Sequence, residues 1–209
     1  MAPSLAVVPH RDPETDDAAL IAAAREGDGA AFTRLFRLHA DAVRTRITRL
    51  VGPVAERDDL VQKVFIALYR GLSSYRGDAR LSTYLHRVAV NVSYDHLRGR
   101  HRWAESADPH DADALAEPVS PKLDDQVAAR VDLARLLALL DQLSPKKRIA
   151  FVLVAVEGSS LAEAAALIGA AEDTVKQRVL QARRDLLARL AETTAAREAR
   201  RTPSVEGTS

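Results

Sequence analysis

Apolar residues in this chain recur with a helical period, most clearly over residues 161–190, LAEAAALIGAAEDTVKQRVLQARRDLLARL. Leu161, Ala164, Ala165 and Ile168 fall at i, i+3, i+4 and i+7, one face of a helix. Gly169 supplies a stop, because glycine tolerates the left-handed backbone that ends many helices. A second helix starts near Glu172, with Val175, Val179, Ala182, Leu186 and Leu190 as its apolar stripe. At about 100° per residue, Gln177, Arg178, Gln181 and Arg184 fall on the opposite arc, with Lys176 and Arg183 at its flanks. Arg and Gln make paired hydrogen bonds to guanine and adenine edges. A short helix, a Gly-containing turn and a basic second helix form the helix-turn-helix pattern. An ordinary helical hairpin with a solvated charged face has the same periodicity, so the rest of the chain decides between them.

The pattern predicts helices upstream as well. Residues 1–17 carry Pro and Asp and few large apolar groups, and read as a disordered tail. A first helix opens near Asp16 or Asp17, and Gly27-Asp28-Gly29 breaks it. Residues 30–50 resume with Phe32, Leu35, Phe36, Val43, Ile47 and Leu50 as core candidates, until Gly52-Pro53. The next helix, 58–70, places Leu60, Val61, Val64, Phe65 and Leu68 on one stripe, which turns Gln62 and Lys63 outward. A loop over 71–83 leads to a helix near 81–98 with Tyr84, Leu85, Val88, Ala89 and Val92 inward. That helix ends in a basic cluster, Arg98, Arg100, His101 and Arg102, followed by Trp103. Tyr75, Tyr84 and Tyr94 set rings among these cations, a combination suited to single-stranded nucleic acid. Residues 127–140 form another amphipathic stretch. Ser144-Pro145 reads as an N-cap and first helical residue, residues 149–156 as a buried run, and Ser159 or Ser160 as the cap of the hairpin's first helix.

Charge divides the chain. The net charge of +1 over 209 residues hides +7 on residues 18–103, −6 on residues 104–125 and +3 on residues 126–190. Two basic segments joined by an acidic strip favour a polyanionic partner. Only 4% of residues are aromatic, so the cores are aliphatic, and Ala and Leu favour helix over sheet. Cysteine is absent, which excludes disulfides and thiolate chemistry and fits a reducing cytoplasm. No signal peptide or membrane span is predicted. His39, His86, His96, His101 and His110 show no metal-ligand spacing, and no Gly-rich phosphate loop is present, so no metal, cofactor or catalytic residue is expected.

Several stretches in order resemble one family: DLVQKVFIALYR at 59–70, SYRGDARLSTYLHRVAVN at 74–91, residues 95–102, and residues 143–190. Together they look like bacterial sigma-70 factors, in the small two-domain form of the extracytoplasmic-function (ECF) group. The resemblance implies an all-α fold of two small helical domains joined by a flexible acidic linker. It implies sigma region 2 (18–103) and sigma region 4 (126–190); composition marks off the linker (104–125) and disordered tails at 1–17 and 191–209. Region 2 would dock on the β′ clamp helices of core RNA polymerase through Asp59, Gln62 and Lys63. It would read and open the −10 element with Tyr75, Arg76, Tyr84, Arg87, Asn91 and Arg98. Region 4 would read the −35 element with Thr174, Lys176, Gln177, Arg178, Gln181 and Arg184, and meet the β flap. The linker would thread toward the RNA exit channel. Promoter DNA, core polymerase and an anti-sigma factor are the implied partners, in the cytoplasm.

This chain departs from the family pattern at four places. Lys63 stands where an acid is usual, Tyr84 where Trp is common, Leu81 where an aromatic is common, and Ala171 at a usually polar N-cap. A polymerase-independent helix-turn-helix regulator is the rival reading; it would bind duplex DNA tightly alone.

Overall fold

The computed structural model describes residues 13–75, 80–106 and 136–201, and every regular element among them is helical. The elements are α1 (Pro13–Arg25), α2 (Gly29–Val51), α3 (Arg57–Gly71), α4 (Leu81–Ser106), α5 (Pro145–Phe151), α6 (Leu161–Ile168) and α7 (Glu172–Arg201). Residues 136–141 form a further helical turn before α5. Two compact units result. One holds α1, α2 to Thr48, α3 and α4 to Val92; the other holds 49–52, the rest of α4 and the helices beyond.

In the first unit α1 starts at Pro13, a few residues earlier than periodicity suggests, since proline's fixed φ suits a first helical turn. The break at 27–29 is a built cap. The Asp28 carboxylate accepts hydrogen bonds from the Ala30 and Ala31 amides at 2.8 and 3.1 Å and so starts α2. His39 on α2 meets Asp17 on α1 at 2.9 Å. The α3 stripe is buried as its spacing requires: Leu60, Val61, Val64, Phe65 and Leu68. Leu35, Val43 and Ile47 of α2 are buried, whereas Phe36 stays 37% exposed with its ring 4.6 Å from that of Phe65. On α4, Leu85 and Ala89 are buried as expected, but Tyr84, Val88 and Val92 are only half-buried. Leu81 is buried too, so the missing aromatic at that position belongs to the core and not to a surface. The helix also outruns its predicted end at Arg98. No proline interrupts 81–106, and the basic cluster lies within the helix instead of after it.

In the second unit α5 widens into a π turn at Val152–Val156. Ser144 sits at the α5 N-cap, but its hydroxyl makes no cap bond. Ser160 does. Its hydroxyl accepts from the Glu163 amide, and the Glu163 carboxylate accepts from the Ser160 amide, a reciprocal capping box. Gly169 ends α6 at φ +70°, the left-handed geometry its position demands. Leu140 and Leu143 pack with Ala182, flanked by Phe151 and Leu186. A Lys147–Asp185 ion pair at 2.7 Å and an Arg189 to Gln142 carbonyl bond at 3.0 Å fasten α7 to the preceding segment. The core stripe of α7 holds at Val175, Val179 and Ala182, thins at Leu186 and fails at Leu190, which is 52% exposed. The helix continues to Arg201, beyond the predicted limit of 190. Residues 191–201 contain helix formers and no Gly or Pro, so propensity carries the helix on.

Candidate nucleic-acid interface

The α6–α7 hairpin presents an ordered polar face. Thr174, Gln177, Gln181 and Arg184 are exposed, and their spacing puts them within about 80° on α7, away from the buried Val175–Val179–Ala182 row. Lys176 and Arg178 stand about 100° to either side of Gln177. Lys176 is exposed; Arg178 is half-buried, because its position verges on the core row. Arg178 is therefore a flank residue, not a member of the outward row as the sequence suggested. The Ala171 carbonyl accepts from the Val175 amide at 3.1 Å, and Glu172 and Asp173 occupy the first turn of α7, where carboxylates complement the helix dipole. The Ser160 amide and hydroxyl hold the Glu163 carboxyl below its ordinary range.

A second polar row runs along α4. Arg87, Asn91 and Arg98 are all exposed and fall within about 40° of one another. Half-buried Tyr94 lies on the same line, and exposed Arg80, just before the helix, and Arg102 extend it at both ends. Arg80 escaped the sequence reading, although its seven-residue spacing to Arg87 was a usable signal. Trp103 is 77% exposed, yet its position turns it about 160° from Arg87, so it does not join this row. The rings of Tyr75 and Tyr84 meet edge to face at 5.3 Å and 72°, both half-buried. Arg76 lies outside the described residues.

On α3, Asp59, Gln62 and Lys63 are exposed together on one face. Ile66, 41% exposed, continues that face at i+7, and Tyr69 stands beside it with its ring 5.2 Å from that of Phe32. Ile66 breaks the core spacing of the helix, which was the sequence signal for an apolar group on a polar face. Asp58 opens α3. Hydrogen bonds from Arg44 and Arg57 keep its carboxyl below the usual range. Among the described residues no grouping of His, Asp and Glu is placed to hold a metal, and no helix is long and apolar enough to cross a membrane.

A helix-turn-helix in α6–α7, and a cation row along α4 with an aromatic pair near that helix's start, define a two-part DNA-binding protein. Residues 35–103 match the family model of Sigma-70 region 2, and residues 133–186 match that of Sigma-70, region 4. The chain belongs to the sigma-70 family of RNA polymerase sigma factors, in its ECF group. It is 37% identical over 171 residues to the ECF RNA polymerase sigma factor SigM of Mycobacterium tuberculosis, covering 81% of this chain and 82% of the relative. Among solved structures it is similar to CnrH in complex with the cytosolic domain of CnrY, with TM-score 0.56, 28% identity and 85% and 98% of the two chains covered. It is also similar to the sigma factor RpoE in complex with the anti-sigma factor NepR from Bartonella quintana, with TM-score 0.54, 27% identity and coverage of 77% and 96%. Its function is that of its family: it associates with core RNA polymerase and directs initiation at specific promoters. Matches to both regions in one chain leave the polymerase-independent regulator without support.

Proposed function

We propose that the two polar rows divide promoter recognition between them. Thr174, Gln177, Gln181 and Arg184 enter the major groove of the −35 element and read base edges. Lys176 and Arg178, on either flank, grip phosphates of the two groove walls. Arg76, Arg87, Asn91 and Arg98 hold the −10 strand, while Tyr75 and Tyr84 stack on bases as it opens. Ring stacking of about 1–3 kcal/mol per base offsets part of the unstacking cost. Asp59, Gln62 and Lys63, with Ile66, dock on the β′ clamp helices, where Lys63 places a cation at a usually acidic position. Region 4 meets the β flap, and the acidic segment 104–125, nearly all of it outside the described residues, runs toward the RNA exit channel.

The observation that carries this reading is the shared outward face of Thr174, Gln177, Gln181 and Arg184 opposite a buried row. One such helix per promoter supplies too little selectivity alone, so polymerase acts as the co-binder that raises effective concentration. The chain itself carries out no chemistry and works in the cytoplasm. An anti-sigma factor restrains it; the solved relatives bound to CnrY and NepR support this. Run-off transcription with core polymerase on genomic fragments tests the whole. New start sites that depend on the protein are expected, and unchanged start sites on every template overturn it.

A further inference from the structure

Gly71, the last residue of α3, touches both members of the aromatic pair. Its carbonyl accepts from the Tyr75 amide at 3.0 Å and from the Ser74 amide and hydroxyl at 3.1 and 3.0 Å. That fixes where Tyr75 leaves the helix. On its other side, a methyl group at Gly71 would lie 2.5 Å from the Tyr84 hydroxyl oxygen and 3.6 Å from the ring carbon that bears it. Real Cβ atoms essentially never approach a neighbour so closely, so the ring would have to move. The hydroxyl end of Tyr84 therefore rests where a side chain on Gly71 would project, and the ring meets Tyr75 from there at 5.3 Å. The next carbonyl, Leu72, is held in turn by the Arg25 side chain at 2.8 Å.

We propose that Gly71 is a positioning residue for strand opening: the bare end of α3 seats the Tyr84 hydroxyl and anchors the Tyr75 amide, setting the two rings that receive unstacked bases. This rests on the assignment of Tyr75 and Tyr84 to the opening surface. The seat explains why a Tyr hydroxyl at 84 goes with a residue lacking Cβ at 71. It also predicts that the damage from adding Cβ is undone by removing one oxygen.

The test is a mutant cycle in the full chain: Gly71→Ala, Tyr84→Phe, the double variant, and Tyr84→Ala as control. With core polymerase, on the promoter fragment selected by run-off transcription, permanganate reactivity of thymines follows opening. Gly71→Ala is expected to slow opening about tenfold, the scale of one lost stacking contact, with polymerase binding unchanged. Tyr84→Phe sets the reference rate for its own background, and the double variant is expected to open at that Tyr84→Phe rate.

Thermal melting of the free protein gives an independent readout. Gly71→Ala lowers the midpoint when Tyr84 is intact. In the Tyr84→Phe background it raises the midpoint by about 2–6 °C, as Gly-to-Ala does in an unhindered helix. A double variant as slow as Gly71→Ala, or a midpoint shift of the same sign in both backgrounds, overturns the seat. Wild-type opening by Tyr84→Ala instead overturns the assignment of Tyr84 to the opening surface, and with it the role of the seat. The melting pair still decides separately whether the seat exists.

Discussion

Helices α4 and α7 present their cations in opposite ways. In α4 the row Arg87–Asn91–Arg98 lies along the flank of a helix with buried residues from Leu81 to Leu97. In α7 the buried row stops at Ala182, and the helix runs on to Arg201 with Leu187 67% exposed. A laterally supported helix makes a fixed surface on which single-stranded bases can be laid out. The polar row of α7 lies on its held end, opposite Val175, Val179 and Ala182, and so offers a short outward arc of the kind a groove about 12 Å wide admits. The contrast matches opening on one side and reading on the other.

The largest expected effect probes whether the units are separate. Leu35→Ala should cost about 2–5 kcal/mol and lower only the first unit's transition in calorimetry, whereas Leu153→Ala should lower only the second. A single merged transition shifted equally by both would erase the comparison. Next, Arg178→Ala combined with Arg184→Ala should reduce promoter-specific transcription about 100-fold, with polymerase binding intact. The outward Arg184 should contribute more than the flanking Arg178, and DNA footprints on variant promoters should show relaxed base preference only for Arg184→Ala. Asn91→Ala or Tyr75→Ala should leave duplex binding by the holoenzyme unchanged and slow thymine reactivity about tenfold.

The smallest effect concerns the hairpin's foundation. Ser160→Ala should cost about 1 kcal/mol. Glu163 adds a pH signature. Its folded carboxyl lies below its ordinary value of 4.5, so it contributes stability above that value and loses it as pH falls through the lowered folded pKa. Acid melting of Glu163→Gln should lack that increment, whereas Ser160→Ala should lose only the hydroxyl's share, because the amide of residue 160 still binds the carboxylate.

Periodicity made the helices legible wherever a strong stripe met a strong stop. The α3 stripe and the Gly169 turn needed nothing beyond spacing. Helix ends were less legible because they depend on what is absent: nothing halts α4 at Arg98 or α7 at Leu190, and propensity extends both. Burial at the margin of a stripe was also hidden. A 100° step cannot decide whether Arg178 or Phe36 is covered, since that depends on the neighbouring helix. The seat at Gly71 could not have been read at all. It joins the end of one helix to a side chain on the next, thirteen residues on, and no local pattern encodes that meeting.

The length of α7 has a practical consequence. The family match ends at residue 186, and the remaining 15 residues of helix extend about 22 Å further at 1.5 Å per residue. That extension is a lever arm whose tip magnifies any tilt of the end proposed to enter the groove. A fluorophore at Arg201, paired with one on promoter DNA, would turn small docking changes into measurable displacement without crowding the reading face.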